Sequence, residues 1–110
     1  MKVDLLIREN GWWPRAWGVI FLDNKVIVIK EDPYNAYSRG ERRIERVGGI
    51  HLNLYENQSA RIWTTKELQD FLSSLFEEDE VEVDEEVADR VLHYIPPGVK
   101  TIVSSYTIYL

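Results

Sequence analysis

The most apolar part of the chain predicts a β-hairpin. Residues 16–22 and 25–30 are almost continuously apolar and are separated only by Asp23 and Asn24, which tolerate positive φ angles. A two-residue link of this kind joins antiparallel strands in a tight turn. Because neither strand alternates regularly with polar residues, we expect both to be covered on both faces, or on one face and by a dimer interface.

Five other stretches have shorter or less regular strand patterns: residues 2–8, 42–47, 50–55, 61–63 and 99–110. Residues 2–8 place alternate apolar side chains on one face, which is typical of a half-buried strand. Residues 99–110 are rich in β-branched residues and tyrosine, so we expect this segment to return to the sheet.

The segments 42–47 and 50–55 flank Gly48 and Gly49, and their pairing can take two registers. A strict two-residue turn places charged residues of the first segment on the face that carries the leucines of the second. A glycine bulge shifts the register and places Ile44 on that face instead. In both registers the more polar face carries the same three residues of the second segment: His51, Asn53 and Tyr55.

Two amphipathic helices are predicted in the second half of the chain. Thr64 and Glu67 match a capping box, in which each residue's side chain satisfies a backbone N–H group of the other. That helix should run over residues 65–77, with its apolar side chains along one stripe. The second should run over residues 85–95 and be capped by Asp84.

These elements predict an α+β fold in a single domain that spans residues 1–110. We expect a mostly antiparallel sheet of about five to six strands, with two consecutive amphipathic helices packed on one face and a C-terminal strand returning to the sheet. The predicted core consists of Val19, Phe21, Ile27, Ile29, Leu68, Leu72, Leu75, Val91 and Leu92.

Composition removes several classes of chemistry. The 110 residues include no cysteine, which excludes disulfides, thiolate nucleophiles and cysteine-based zinc sites. No stretch resembles a signal peptide, and no apolar run approaches the roughly 20 residues needed to cross a bilayer. We therefore expect a cytoplasmic protein that has no contact with membranes.

The net charge of −6 is unevenly distributed. Residues 1–66 hold 11 Lys and Arg against 8 Asp and Glu, a charge of +3, whereas residues 67–110 hold 2 against 11, a charge of −9. Nine of the thirteen residues in 77–89 are acidic, and we interpret this run as a solvated turn between the two helices. Such asymmetry either balances within one domain or presents a charged patch to a partner.

Aromatic residues and arginines are concentrated between residues 11 and 46, a combination that can bind single-stranded nucleic acid. Bases stack on indole and phenol rings, while guanidinium groups hold phosphates through paired hydrogen bonds. Pairing of these arginines with Glu41 and Glu45 is the structural alternative. The candidate binding residues are Trp12, Trp13, Tyr34, Tyr37, Arg39, Arg42, Arg43 and Arg46.

Candidate catalytic residues are few. His51 and His93 could act as general bases, for instance in metal-independent RNA cleavage. Glu85, Asp89 and His93 recur at helical spacing, but on a face predicted to meet water. No motif for a cofactor or a metal is present, so we predict neither.

Three functional hypotheses follow from these patterns. The first is a small non-enzymatic binding module that engages a protein partner or a second copy of itself, as in a homodimer. The alternative is a single-stranded nucleic-acid-binding protein that uses the aromatic and arginine residues, and a further alternative is a small metal-independent nuclease.

Overall fold

The computed structural model describes residues 3–9, 15–31, 40–74 and 80–104. In chain order, the strands and helices of these residues are β1 (Leu5–Glu9), β2 (Arg15–Leu22), β3 (Lys25–Glu31), β4 (Arg42–Val47), β5 (Ile50–Tyr55), β6 (Gln58–Trp63), α1 (Thr65–Ser73), β7 (Glu80–Asp84), α2 (Ala88–Val91) and β8 (Lys100–Ser104). Short 3-10 turns precede and follow α2, at Glu85–Val87 and Leu92–Tyr94.

Six of the strands form one sheet, in the order β6-β3-β2-β1-β7-β8. All neighbouring strands in it run antiparallel except β7 and β8, which run parallel. β4 and β5 form a separate two-stranded antiparallel sheet. The predicted α+β class, the mostly antiparallel sheet and the return of a C-terminal strand to it are therefore confirmed.

β2 and β3 lie near the centre of the six-stranded sheet and are covered on both faces. On the helix side, Val19 and its cross-strand partner Val28 pack in a cluster with residues of α1 and α2. On the hairpin side, Ile20 and its partner Ile27 pack with residues of β5. This double burial explains why the two strands are almost continuously apolar, and it favours the first of the two arrangements predicted for them.

The larger core lies on the helix side. α1 begins as predicted: the Thr64 hydroxyl accepts a hydrogen bond from the Glu67 N–H group at 3.1 Å, and the Glu67 carboxylate accepts one from the Thr64 N–H group at 3.4 Å. Leu68 and Leu72 of α1 are completely buried. No helix among the described residues is long and apolar enough to cross a bilayer.

The second predicted helix is less regular than its sequence pattern indicates. Asp84 caps it, because its carboxylate accepts a hydrogen bond from the Glu86 N–H group at 2.9 Å. Only Ala88–Val91 is α-helical, however, and a 3-10 turn follows. Leu92, a predicted core residue, is 38% exposed, because successive residues of a helix point about 100° apart and the completely buried Val91 takes the core-facing position.

The rest of the predicted core has three outcomes. Phe21 is only partly buried and packs at the edge of the helix-side cluster. Leu75 lies outside the described residues, and α1 ends at Ser73, earlier than predicted. The other predicted core residues are buried: Val19, Ile27, Ile29, Leu68, Leu72 and Val91.

The interpretation of the acidic run as a turn between helices is wrong for Glu80–Asp84, which is strand β7. Val81 and Val83 are completely buried, and they alternate with Glu80 and Glu82, which are half-buried. β7 lies between β1 and β8, so it separates the two helices along the chain. The period-two alternation that identifies this strand is short and lies within a run of carboxylates.

The β4–β5 hairpin adopts the strict two-residue register. Gly48 and Gly49 have φ angles of 60° and 85°, which glycine adopts without steric strain, and Val47 pairs directly with Ile50. Glu45 therefore lies on the same face as the leucines of β5, where the guanidinium group of Arg43 pairs with it at 2.8 Å. The strict register places two charged residues on the face of the leucines, and this ion pair neutralises them. A bulge is therefore not needed to keep charge away from that face.

Candidate binding surfaces

The exposed face of the β4–β5 hairpin is the first candidate surface, and we call it the outer face. Successive residues of a strand point to opposite sides, and directly paired residues share a side. Because Leu52 and Leu54 are buried against the six-stranded sheet, the residues that alternate with them point outward. The outer face consists of Arg42, Ile44, Arg46, His51, Asn53 and Tyr55.

One end of the outer face is held in a defined geometry by Arg42 and Tyr55. The Arg42 guanidinium donates a hydrogen bond to the Tyr55 hydroxyl at 2.8 Å, and its central carbon lies 4.4 Å from the centroid of the Tyr55 ring. A guanidinium group over a tyrosine ring is attracted by the negative face of the π system. The contact therefore orders a long, charged side chain that would otherwise be free.

The centre of the outer face is apolar and its flanks are cationic. Ile44 is 71% exposed, and Asn53 lies opposite it on β5. Arg42 and Arg46 lie two residues before and after Ile44 on the same strand face, and His51 lies opposite Arg46. None of the six residues of this face is acidic, in contrast to the net charge of −6 on the whole chain.

Arg43, another of the predicted binding residues, points to the opposite side and holds the hairpin to the sheet. In addition to the Glu45 contact, its guanidinium donates hydrogen bonds to the backbone carbonyls of Tyr55 and Gln58. All of its nitrogen atoms have acceptors, so this side chain connects β4, β5 and the start of β6 instead of facing a partner.

The other predicted nucleic-acid contacts are not brought together by the described part of the structure. Arg42 and Arg46 lie on the outer face. The remaining five residues lie outside the described residues: Trp12, Trp13, Tyr34, Tyr37 and Arg39. A shared nucleic-acid surface therefore stays a prediction.

The two histidines lie on different elements. His51 is exposed on the outer face, and His93 is exposed in the 3-10 turn after α2, where its ring centroid lies 4.0 Å from that of Tyr94. The interruption of α2 by 3-10 turns also breaks the helical spacing of Glu85, Asp89 and His93. Among the described residues, no three histidine or carboxylate side chains are grouped so that they could hold a metal ion.

A second candidate surface was not predicted from the sequence. A cavity of about 390 Å³ opens on the helix side of β2, β3 and β6, and we call it the indole cavity. Its walls include two indole rings, and the lining residues are Trp17, Val28, Lys30, Ser59, Ala60, Arg61 and Trp63. Trp17 lies mostly in the core and is only 8% exposed.

The indole cavity depends on strand register, which explains why no local sequence pattern reveals it. Lys30 pairs with both Trp17 of β2 and Ser59 of β6, so these three residues form one row across three strands. Arg61 and Trp63 follow Ser59 at alternate positions of β6 and therefore lie on the same side. A period-two pattern over residues 58–63 was the available signal, but only 61–63 was predicted to be a strand.

Comparison with known proteins identifies no relative: no protein-family model matches the chain, and neither the curated proteins nor the solved structures include a significant match.

Proposed function

We propose that this protein is a non-enzymatic binding module whose outer face engages an acidic segment of a protein partner. The observation that carries the proposal is the exposed Ile44, which has an arginine on each side of it and no carboxylate on the same face. We place this binding in the cytoplasm, as the sequence predicts.

The arrangement of the outer face resembles that of a protein interface. Protein interfaces combine an apolar centre with a polar rim, and arginine and tyrosine are enriched among the residues that contribute most to binding. Here Ile44 supplies the centre, while Arg42, Arg46 and Tyr55 supply the rim. The order imposed by the Arg42–Tyr55 contact reduces the conformational entropy that binding would remove.

The charge of the outer face selects an acidic partner. A cationic patch accelerates encounter with an acidic surface and disfavours basic ones. A second copy of the chain meets this description, because Glu85, Glu86 and Asp89 at the start of the α2 region are exposed. Self-association is therefore one form of the proposed function, and light scattering over a range of concentrations tests it.

Single-stranded nucleic acid is the second candidate partner. Arg42 and Arg46 are four residues apart along one strand, a distance of roughly 14 Å, so both could contact phosphates of one extended strand. Among the six residues of the outer face, Tyr55 alone has a six-membered aromatic ring. The Arg42 guanidinium already covers one side of that ring. Stacking of bases would need further aromatic side chains, so the described residues favour a protein partner.

The experiment compares a fluorescently labelled acidic peptide, rich in glutamate and containing leucine, with a labelled single-stranded oligonucleotide in anisotropy titrations. Ile44→Asp and Arg46→Glu should each abolish saturable binding of the peptide. Lys66→Glu is the matched control, because Lys66 is an exposed cation at the start of α1, away from the outer face. The affinity of the Lys66→Glu variant for the peptide should remain within about twofold of that of the wild type.

The outcomes separate the hypotheses. Binding of the oligonucleotide but not of the peptide would replace the protein partner with the nucleic acid, with a log K that falls by roughly 0.7 per phosphate contact for each log unit of salt. Failure of both probes at low salt, together with a monomer at all concentrations, would refute the proposed function.

A further inference from the structure

The polar side chains of the described residues that line the indole cavity are mainly hydrogen-bond donors. Among the described residues that line it, the polar groups outside the indole rings are the Lys30 ammonium, the Arg61 guanidinium and the Ser59 hydroxyl. Only the hydroxyl can also accept a hydrogen bond. No carboxylate is among the described residues that line the cavity. A complementary ligand must therefore supply acceptors, and a negative charge would match both cations.

Lys30 and Arg61 lie close together without effective neutralisation. Lys30 is directly opposite Ser59, and Arg61 is two residues further along β6, so the two cations are diagonal neighbours on one side of the sheet. The Cα atoms of diagonal neighbours on adjacent strands lie roughly 7–8 Å apart. Among the described residues, Lys30 forms no ion pair, and Arg61 has only a 4.0 Å contact with Glu67 between two largely exposed side chains.

Aromatic rings hold both cations beside the cavity. The Lys30 ammonium lies 5.2 Å from the centroid of the Trp17 ring, and the Arg61 guanidinium lies 5.0 Å from that of Trp63. The two indoles pack edge-on against each other, with ring centroids 6.0 Å apart, and both pack on Phe71 of α1, Trp63 edge-on and Trp17 at a tilt. Cation–π contacts position a cation without removing its charge, so both stay available to an anion.

The indole N–H groups of Trp17 and Trp63 are not part of the contact surface. Their Nε1 atoms are buried, and neither has an acceptor among the described residues. A molecule in the cavity would therefore contact the indole rings and the two cations, and the N–H signals would report the changed environment of the rings.

We propose that the indole cavity binds a small organic anion, with its phosphate or carboxylate group between Lys30 and Arg61 and its unsaturated body against the two indoles. A volume of about 390 Å³ lies within the range of small-molecule sites and exceeds what a bare inorganic ion fills. The site lies on the helix side of the sheet, whereas the outer face belongs to the hairpin on the other side. The inference is therefore independent of the proposed function.

The test uses phenyl phosphate, benzoate and inorganic phosphate as probes, with chloride at equal ionic strength as the reference. Indole N–H signals are followed in ¹H–¹⁵N spectra and assigned from Trp17→Phe and Trp63→Phe variants. Phenyl phosphate or benzoate should shift the Trp17 and Trp63 signals saturably, and whichever binds identifies the acidic group. Chloride should not shift them.

Variants of the two cations test the geometry. Lys30→Gln and Arg61→Gln should each raise the dissociation constant of the bound probe by about tenfold, since each removes one charge-assisted contact. The double variant should show no saturable shift. Arg46→Gln is the matched control, because it removes a cation from the outer face, and it should leave the constant unchanged.

Two results would overturn the inference. If the double variant binds the probe as the wild type does while its backbone amide spectrum shows the native fold, Lys30 and Arg61 do not form the site. If inorganic phosphate binds as tightly as phenyl phosphate, or no probe shifts either indole signal, the cavity holds no organic anion. If the double variant loses the native spectrum, the two single variants decide the outcome. Each must then show the tenfold increase in the dissociation constant of the probe.

Discussion

The two sides of the six-stranded sheet differ in how many apolar side chains they bury. On the helix side, residues of β1, β2, β3 and β7 pack with both helices in one large cluster of fully or nearly fully buried side chains. On the hairpin side, the buried cluster is smaller, and its members among the described residues are Ile20, Ile27, Ile29, Leu52 and Leu54. The hairpin that closes this smaller core also exposes the outer face. Stability is thus concentrated on one side, and the other combines a thin core with a binding surface.

The two sides also differ in how they are connected to the sheet. The helix α2 is held by Arg90, whose guanidinium lies 2.8 Å from the Asp4 carboxylate, while that carboxylate also accepts the Phe21 N–H group at 2.9 Å. The hairpin is held by the Arg43 hydrogen bonds to the carbonyls of Tyr55 and Gln58. A side chain is the link in both cases, but the hairpin has much less apolar contact behind it. We therefore expect it to open at a lower free energy than the helix side.

The largest expected effect is the loss of a helix-side leucine. Leu72→Ala should lower the free energy of unfolding by roughly 2–5 kcal/mol, because Leu72 is completely buried and its removal leaves a cavity among fixed neighbours. Chemical denaturation measures the change. Gln69→Ala, at an exposed position of the same helix, should stay within about 0.5 kcal/mol of the wild type. A loss below about 1 kcal/mol for Leu72→Ala would remove it from the core.

A smaller loss is expected from the matching leucine on the hairpin side. Leu52→Ala should cost about 2–3 kcal/mol, the lower part of the range for buried leucines, because the hairpin can shift toward the sheet and partly fill the space. Hydrogen exchange should show faster exchange of amides in β4 and β5 while β1, β2 and β3 keep their protection. Uniform loss of protection in all strands would show that the two sides unfold as one unit.

Arg42 and Arg43 are adjacent residues with opposite orientations, so they compare the two faces of the hairpin directly. Arg43→Ala leaves Glu45 and two backbone carbonyls without their donor, and we expect it to cost about 1–3 kcal/mol in a thermal or chemical melt. Arg42→Ala loses a solvent-exposed contact with Tyr55 and should have a much smaller effect. Equal losses for both variants would contradict the assigned register.

Arg43→Lys sharpens the same comparison. Lysine keeps the charge but cannot direct separate N–H groups to a carboxylate and two carbonyls in the fixed geometry of a guanidinium. The variant should therefore be destabilised almost as much as Arg43→Ala. Full recovery of the wild-type stability would mean that charge alone, through Glu45, accounts for the role of Arg43.

How far the sequence could predict this structure depended on whether the relevant pattern was local. The bounds of β4 and β5 were predicted correctly, and those of β2 and β3 to within one residue, because a turn of two residues with permissive backbones separates each pair. Capping by Thr64, Glu67 and Asp84 was also predicted correctly, since a cap involves residues that are close in sequence.

The errors arose where long-range pairing decides the structure. β7 is a strand because Val81 pairs with Ile7 and Val83 pairs with Leu5, two residues of β1 that are far away in the chain. Nothing within the acidic run indicates that β1 is its partner. The indole cavity likewise requires the register of three strands, which brings Trp17 and Ser59 to opposite sides of Lys30. On the outer face, by contrast, the grouping of His51, Asn53 and Tyr55 was predicted correctly, because a single strand determines it.

The smallest expected effect concerns the turn on which the outer face depends. Gly49 has a φ angle of 85°, and a Cβ atom there would meet nothing within 4 Å, so the cost of Gly49→Ala is conformational and should be about 1 kcal/mol. Gly49→Asn should cost less, because asparagine tolerates this region. At Gly48 a Cβ atom would instead approach the Lys25 Cδ atom to 3.0 Å and the Ile27 Cδ1 atom to 3.3 Å. Gly48→Ala should therefore destabilise more than Gly49→Ala in the same chemical denaturation series. The reverse order would mean that the hairpin turn does not pack on the hairpin-side core at Lys25 and Ile27 as described.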